Sequence, residues 1–237
     1  MNQRQNHLGQ PIGDPMEDWQ PVSRPSRTIM EGQYCRLEPM DIDRHISDLF
    51  AAFKLDKEDR NWTYLPYGPF ESEADLRVWM TKTCLNDDPL FHTVIDKTTG
   101  KAVGVATYLR IDPPVGVIEV GHINFSPLLQ RTAAATETMF LMMKRAFSEL
   151  GYRRYEWKCD NLNGPSKRAA ERLGFTFEGV FRQATMYKGC NRDTAWFSIT
   201  DVEWPAIERT ISAWLDASNF DENGAPLTSL HDTMKQR

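Results

Sequence analysis

Between Cys159 and Gln183 the chain reads CDNLNGPSKRAAERLGFTFEGVFRQ. A strand-like run ends in a polar, backbone-bending patch, Asn163-Gly164-Pro165-Ser166. A short basic helix follows, and Leu173-Gly174-Phe175 turns the chain back into a strand. A crossover needs only a helix and a turn. This patch also puts hydrogen-bonding groups where a helix begins, at an end whose first N–H groups lack internal partners and where the macrodipole is positive. A second helix start has a related character. In INFSPLLQRTAAATE a strand ends at Phe125 and, after a proline-containing connection, Arg131 to Ala135 open a helix. The small residues Ala133, Ala134 and Ala135 let a ligand approach that backbone closely, as a phosphate cradle requires. Alanine is also the best helix former, so the same letters fit a plain helix start.

Other common sites are missing from the sequence. No G-x-G-x-x-G, G-x-x-x-x-G-K-[ST] or G-x-S-x-G motif is present. The four cysteines, Cys35, Cys84, Cys159 and Cys190, are far apart and form no CxxC pair, so the expectation is no metal and reduced thiols in a cytoplasmic protein. No signal-peptide pattern and no membrane-length apolar run is seen. A net charge of −5 argues against nucleic acid or an anionic membrane as the main partner.

The elements that must carry these segments follow from pattern. Residues 1–29, with Pro11, Pro15, Pro21 and Pro25, read as an extended arm anchored by Trp19. YCRLEP is a strand, and a helix follows with Asp41 as N-cap and Ile42, Ile46, Leu49 and Phe53 at helical spacing. NWTYLPYGPF is an aromatic loop, and ESEADLRVWMTKTCL a second helix. LFHTVID, AVGVATYLRI and VIEVGHINF are strands. The helix TAAATETMFLMMKRAFSEL has its stripe at Ala135, Met139, Met142, Ala146 and Leu150 and stops at Gly151. The strand RRYEWKC, the short helix, the strands FEGVFRQATMY and DTAWFSIT, and a helix near WPAIERTISAWLDA complete the order before a polar tail. This is an α/β mixed domain: a meander followed by strand–helix–strand–helix–strand, with helices on the sheet faces. The domain spans residues 30–200, and residues 201–237 are a C-terminal helix and tail.

Read together, VIEVGHINFSPLLQRTAAATETM, the N-x-x-S about thirty residues later and LGF-x-x-EG resemble the GNAT superfamily of acetyl-CoA-dependent N-acetyltransferases. The closer resemblance is to the branch with the ribosomal-protein N-terminal acetyltransferases. It covers about residues 30 to 200, including EGQYCRLEPMD and WTYLPYGPF. It implies a mostly antiparallel sheet with a central parallel strand pair, around Ile118–Phe125 and Arg154–Cys159. These strands splay, and the cosubstrate's pantetheine arm lies in the gap beside Ile123 and Phe125. Gln130-Arg131-Thr132-Ala133-Ala134-Ala135 stands in the place of the family's Q/R-x-x-G-x-G/A pyrophosphate loop, with Ala133 replacing its first glycine. Thr136 and Glu137 match the T-E that often follows in this branch.

The resemblance also implies roles. Asn163 would hydrogen-bond the pantetheine arm, Ser166 would sit near the sulfur and protonate the departing thiolate, and Lys167 and Arg168 would reach a phosphate. Against this, Asn163 or Ser166 can simply cap the helix. The acceptor ammonium must lose a proton before it attacks the thioester. Glu119 is the first candidate base and His122 the second, with water as a possible relay and a backbone N–H near Gly121 or His122 as oxyanion donor. Glu119 facing solvent and His122 satisfied in the core are the plainer alternatives. The ribosomal serine-terminus branch carries a glutamate after a Gln-Ala pair; here Gln183-Ala184 is followed by Thr185, which points to a different substrate or a moved base. Trp62, Tyr64, Tyr67 and Phe70 would wall an acceptor pocket or plug the sheet, and Tyr187 would donate to the acceptor or the thiolate. The expected activity is acetyl transfer to a primary amine, a protein N-terminus or a small molecule, by a monomer or homodimer. The alternative is a non-catalytic CoA-binding or protein-interaction module.

Overall fold

The structure, a computed structural model, describes residues 4–236; residues 1–3 of the expected arm lie outside the described residues. Eight strands form one sheet: β1 (Met30–Glu31), β2 (Cys35–Pro39), β3 (Leu90–Asp96), β4 (Ala102–Asp112), β5 (Val117–Phe125), β6 (Arg154–Asp160), β7 (Thr176–Tyr187) and β8 (Cys190–Thr200). Their spatial order is β1-β2-β3-β4-β5-β6-β8-β7. Every neighbouring pair is antiparallel except β5 and β6, which run parallel. The mixed sheet and its central parallel pair agree with the sequence reading.

The helices are α1 (Ile42–Phe53), α2 (Glu73–Thr83), α3 (Ala133–Lys144), α4 (Gly164–Arg172), α5 (Trp204–Trp214) and α6 (Leu230–Lys235). Asp41 caps α1 by accepting the Arg44 N–H at 3.2 Å, and Ser72 forms a capping box with Asp75 on α2. The last turn of the expected long helix widens to a π-turn over Arg145–Glu149 before Gly151, at φ 78°, ends it. Two cores flank the sheet. On one face α1 and α2 bury Ile46, Leu49, Leu76 and Met80 with Phe91 and Val105. On the other, α3 to α6 bury Met139, Met142, Ala170 and Ile207 against Tyr108, Tyr155 and Phe197.

The expected extended arm is extended only in part: Gln5 and Pro11 bridge as the chain turns back on itself, and residues 19–27 lie along one end of the sheet. Trp19 donates its indole N–H to the Pro114 carbonyl at 2.8 Å, Arg24 reaches the Ile111 carbonyl, and Arg27 the carbonyls of Leu85 and Asn86. The polar tail departs from the sequence reading, because it holds α6. Ser229 caps this helix, and Leu230 and Met234, one helical turn apart, are both buried. Six residues are too few to show a period in sequence, and the apolar pair becomes informative only against α5.

Candidate active site

β5 and β6 pair from Val117 opposite Arg154 to Val120 opposite Trp157, and then part. The separation is set on the other side of β5. Thr107 stands opposite Gly121 and Val105 opposite Asn124, so His122 and Ile123 together face one residue of β4. This bulge puts His122 at φ 46° and bends β5 away from β6. The gap opens between Gly121–Phe125 and Lys158–Asp160, over which the expected pair was to splay.

Two helix starts stand beside the gap. At α3, Arg131 takes the left-handed turn (φ 63°) and Thr132 caps the helix by accepting the Ala135 N–H at 3.1 Å. Ala133, in the family-glycine position, is the first helical residue, at negative φ, so its methyl group needs no glycine conformation. The N–H groups of Ala133 and Ala134 have no acceptor among the described residues. Gln130 ties the loop down, donating to the Phe125 carbonyl at 2.7 Å and to Asn61 at 2.9 Å. Thr136 accepts from Arg172, joining α3 to α4.

At α4, Asn163 is the N-cap, its side-chain oxygen accepting the Ser166 N–H at 3.1 Å with Pro165 in the first turn. Ser166 Oγ accepts the Trp157 indole N–H at 2.9 Å, so its own proton remains free to donate. Lys167 is turned onto Asn161 at 3.3 Å. The capping alternative thus applies to Asn163, while the Ser166 hydroxyl is oriented by β6.

The sheet face on the α1/α2 side carries charge. Glu119 is 3% exposed, and its Oε2 meets Arg110 at 2.5 Å and Lys158 at 2.8 Å. Lys158 also meets Glu156 at 2.7 Å and lies 3.7 Å from the centre of the Trp196 ring. Arg154 binds Glu156 and Glu178, and Ser198 donates to Glu178, so the network crosses from β4 to β7. The three cations balance the three carboxylates. Glu119 therefore faces neither solvent nor an empty pocket. Its Oε1 lies below Gly121, where an added Cβ would come within 3.8 Å of it.

His122 holds Tyr67, with Nδ1 and the phenolic oxygen 3.1 Å apart and the rings stacked. Burial, helped by the charge of Arg110, lowers His122 to about 4, so its ring is neutral at physiological pH. The aromatic loop divides. Trp62 is 4% exposed beneath Phe53, Tyr67 and Phe70, so Trp62 belongs to the core and Phe70 packs on it. Tyr64 reaches toward the gap, donating to the Leu162 carbonyl at 3.2 Å.

Tyr187, on the edge strand β7, donates to Asp160 Oδ2 at 2.8 Å. Burial first, and then the Asp160 carboxylate, push its phenol far above the ordinary range. Asp160, Lys158 and Trp157 all shape the gap, and the sequence reading named none of them. The alternation in RYEWKCD carries a signal, since it puts Glu156, Lys158 and Asp160 on one sheet face. Glu156 pairs within that segment, with Arg154 and Lys158, but the partners of Lys158 on β5 and β8 and of Asp160 on β7 cannot be read from it.

The family model for the acetyltransferase (GNAT) domain matches residues 35–176. The chain belongs to the GNAT family. It is an acyl-CoA-dependent acetyltransferase, and the family's cosubstrate is acetyl-CoA. A GCN5-related N-acetyltransferase from Brucella melitensis is 48% identical over 93% of this chain and 100% of its own, with a TM-score of 0.91. The SPbeta prophage-derived uncharacterized N-acetyltransferase YokL of Bacillus subtilis is 26% identical over 56% of this chain and 73% of its own length. A Salmonella typhimurium acetyl transferase that modifies the N-terminal serine of a ribosomal subunit protein shares the fold, with 18% identity, 73% of this chain and 99% of its own covered, and a TM-score of 0.59.

In this GNAT chain the residues that fit acetyl-CoA are the unpaired N–H groups opening α3, which suit a pyrophosphate, and the parted strands, which suit an extended arm. Among the described residues, no helix is long and apolar enough to cross a membrane.

Proposed function

We propose that this chain transfers the acetyl group of acetyl-CoA directly to a primary amine, on a protein N-terminus or a small molecule. The observation that carries this is the gap past Val120 and Trp157. It has two helix N-termini at its rim and a charged, aromatic sheet face alongside. Gln130 to Thr136 hold the pyrophosphate, and Ile123, Phe125 and Asn163 border the arm. Lys167 lies close enough to turn from Asn161 to a phosphate. Ser166, oriented by Trp157, donates to the departing sulfur. A backbone N–H at the His122 bulge receives the oxyanion. Glu119 and His122 stand under the acetyl group, Glu119 through Oε1 and His122 through its neutral ring. Tyr64 and Tyr67 border the acceptor's approach, an aromatic surface suited to an ammonium group. The cytoplasm, where the buried thiols of Cys35, Cys84 and Cys159 stay reduced, is the compartment this reading assigns.

Calorimetric titration with acetyl-CoA and CoA, followed by mass spectrometry of amine acceptors incubated with acetyl-CoA, tests this. Binding, with the mass of one acetyl group added to an amine, is expected. Binding without acetylation of any amine would favour the CoA-binding module.

A further inference from the structure

Resting on the amine-acetylation reading, we propose that Tyr187 and Asp160 form the path by which the acceptor's proton leaves. Asp160 is the last residue of β6, at the mouth of the gap, and is 4% exposed. Its Oδ1 accepts the Leu162 N–H at 2.8 Å and its Oδ2 the Tyr187 hydroxyl at 2.8 Å. Three cations lie nearby: Lys158 pairs with Glu119 and Glu156, while Lys167 and Arg192 donate to the neutral side chains of Asn161 and Thr194. Glu119, by contrast, carries two cations on one oxygen. His122 is already engaged, its Nδ1 lying 3.1 Å from the Tyr67 hydroxyl. Of the two carboxylates at the gap, Asp160 is the one that forms no ion pair among the described residues, and its partners are the Leu162 N–H and the Tyr187 hydroxyl.

Access runs through Tyr187. Asp160 is covered, whereas Tyr187 is half-buried on the edge strand, near Tyr64 and with the Arg192 guanidinium 6.0 Å from its ring. With its proton committed to Asp160, Tyr187 keeps phenolic lone pairs that can accept a hydrogen bond. That makes it an acceptor for the substrate's N–H and a poor donor to a thiolate. In the transfer, an N–H bond of the ammonium breaks as an O–H bond forms on Tyr187. The original Tyr187 proton passes to Asp160 Oδ2. The freed nitrogen lone pair forms the C–N bond to the acetyl carbon, and the C–S electron pair leaves with sulfur. The next nitrogen proton goes to that sulfur by way of Ser166, and Asp160 returns its proton to water through Tyr187.

The test compares wild type with Asp160→Asn, Tyr187→Phe and Glu119→Gln. Initial rates are measured across pH with two acceptors, spermidine and a pentapeptide with a free α-amine, and acetyl-CoA affinity is measured by calorimetry. Loss of a positioned proton acceptor costs roughly 100-fold or more in rate. The expected result is such a loss near neutral pH in Asp160→Asn and Tyr187→Phe, shrinking as pH rises and the amine loses its proton in solution, while acetyl-CoA affinity is retained. Glu119→Gln shows no such recovery with pH, whatever it does to the rate. Tyr187→Phe is on an exposed strand and serves if Asp160→Asn does not fold. Near wild-type rates in both Asp160→Asn and Tyr187→Phe, with the pH-dependent loss in Glu119→Gln instead, overturn the inference and give the proton to Glu119. Wild-type protein that binds acetyl-CoA yet acetylates neither amine overturns the amine-acceptor reading, and this inference with it.

Discussion

Asn163 and Ser166 are tied across the first turn of α4: the Asn163 side chain holds the Ser166 N–H at 3.1 Å, and the Ser166 hydroxyl receives the Trp157 indole N–H at 2.9 Å. The two residues therefore separate by experiment. Asn163→Ala should cost about 1 kcal/mol of stability, as lost N-caps do. Ser166→Ala should lower the acetylation rate by roughly tenfold or more with little change in acetyl-CoA affinity. Denaturant unfolding checks the first and steady-state kinetics with calorimetry the second. Unchanged turnover in Ser166→Ala would leave its hydroxyl as a partner for Trp157 alone.

Lys158 lies between two buried carboxylates, with its own side chain 7% exposed. Lys158→Met keeps most of the volume and removes the charge. Breaking a buried ion pair by removing one partner costs about 3–5 kcal/mol. Lys158→Met should therefore lower the urea midpoint sharply. Adding Glu119→Gln should recover part of the loss, since the two residues are in contact. Strictly additive effects would show that the ion pair does not couple them.

His92, on β3, is fully buried with neither ring nitrogen hydrogen-bonded, and burial lowers it to about 3. Its folded value lies below its unfolded value of about 6.5. Between these values the unfolded chain binds the extra proton, so stability falls as pH drops from about 6.5 toward about 3, by up to ~1.36 kcal/mol per pH unit. His122 acts in the same sense down to about 4. Glu178, held at about 2 by Arg154, adds to the slope at lower pH. His92→Leu should flatten the profile between pH 6 and about 4, measured by urea unfolding at each pH. An unchanged slope would mean that His92 accepts a proton in the folded state.

Leu230 and Met234 on α6 are 2% and 8% exposed, and Met234 sits against Gly174 and Ile207 at the turn from α4 into β7. Leu230→Ala should cost about 2–5 kcal/mol, the range for buried leucines. Thermal unfolding would show it. A shift near zero would mean that the tail adds no support to that turn.

Much of the fold is legible in sequence because it rests on local rules. Asp41 does cap α1, LFHTVID is β3 residue for residue, and the Ala135-Met139-Met142 stripe of α3 is buried. The gap itself followed from a resemblance. What escaped was set by cross-strand geometry. Lys158 finds Glu119 because β5 and β6 run parallel in register, and Tyr187 finds Asp160 across β8, 27 positions away. Neither spacing has a local signature. Trp62 stayed open for the opposite reason: an aromatic residue in a loop reads as a ligand wall or as a core plug until the helix beneath it, here α1 with Phe53, is in place and makes it the plug.

The parting of β5 from β6 makes the sheet two leaves joined along a short spine, four residue pairs long. One leaf is β1 to β5 and the other β6, β8 and β7, with α3 and α5 bracing the joint from behind. A molecule that bridges the seam pairs backbone groups belonging to both leaves, and so acts as a missing rung. Occupancy then resists their separation as a unit, and each leaf gains stability from contacts made on the other.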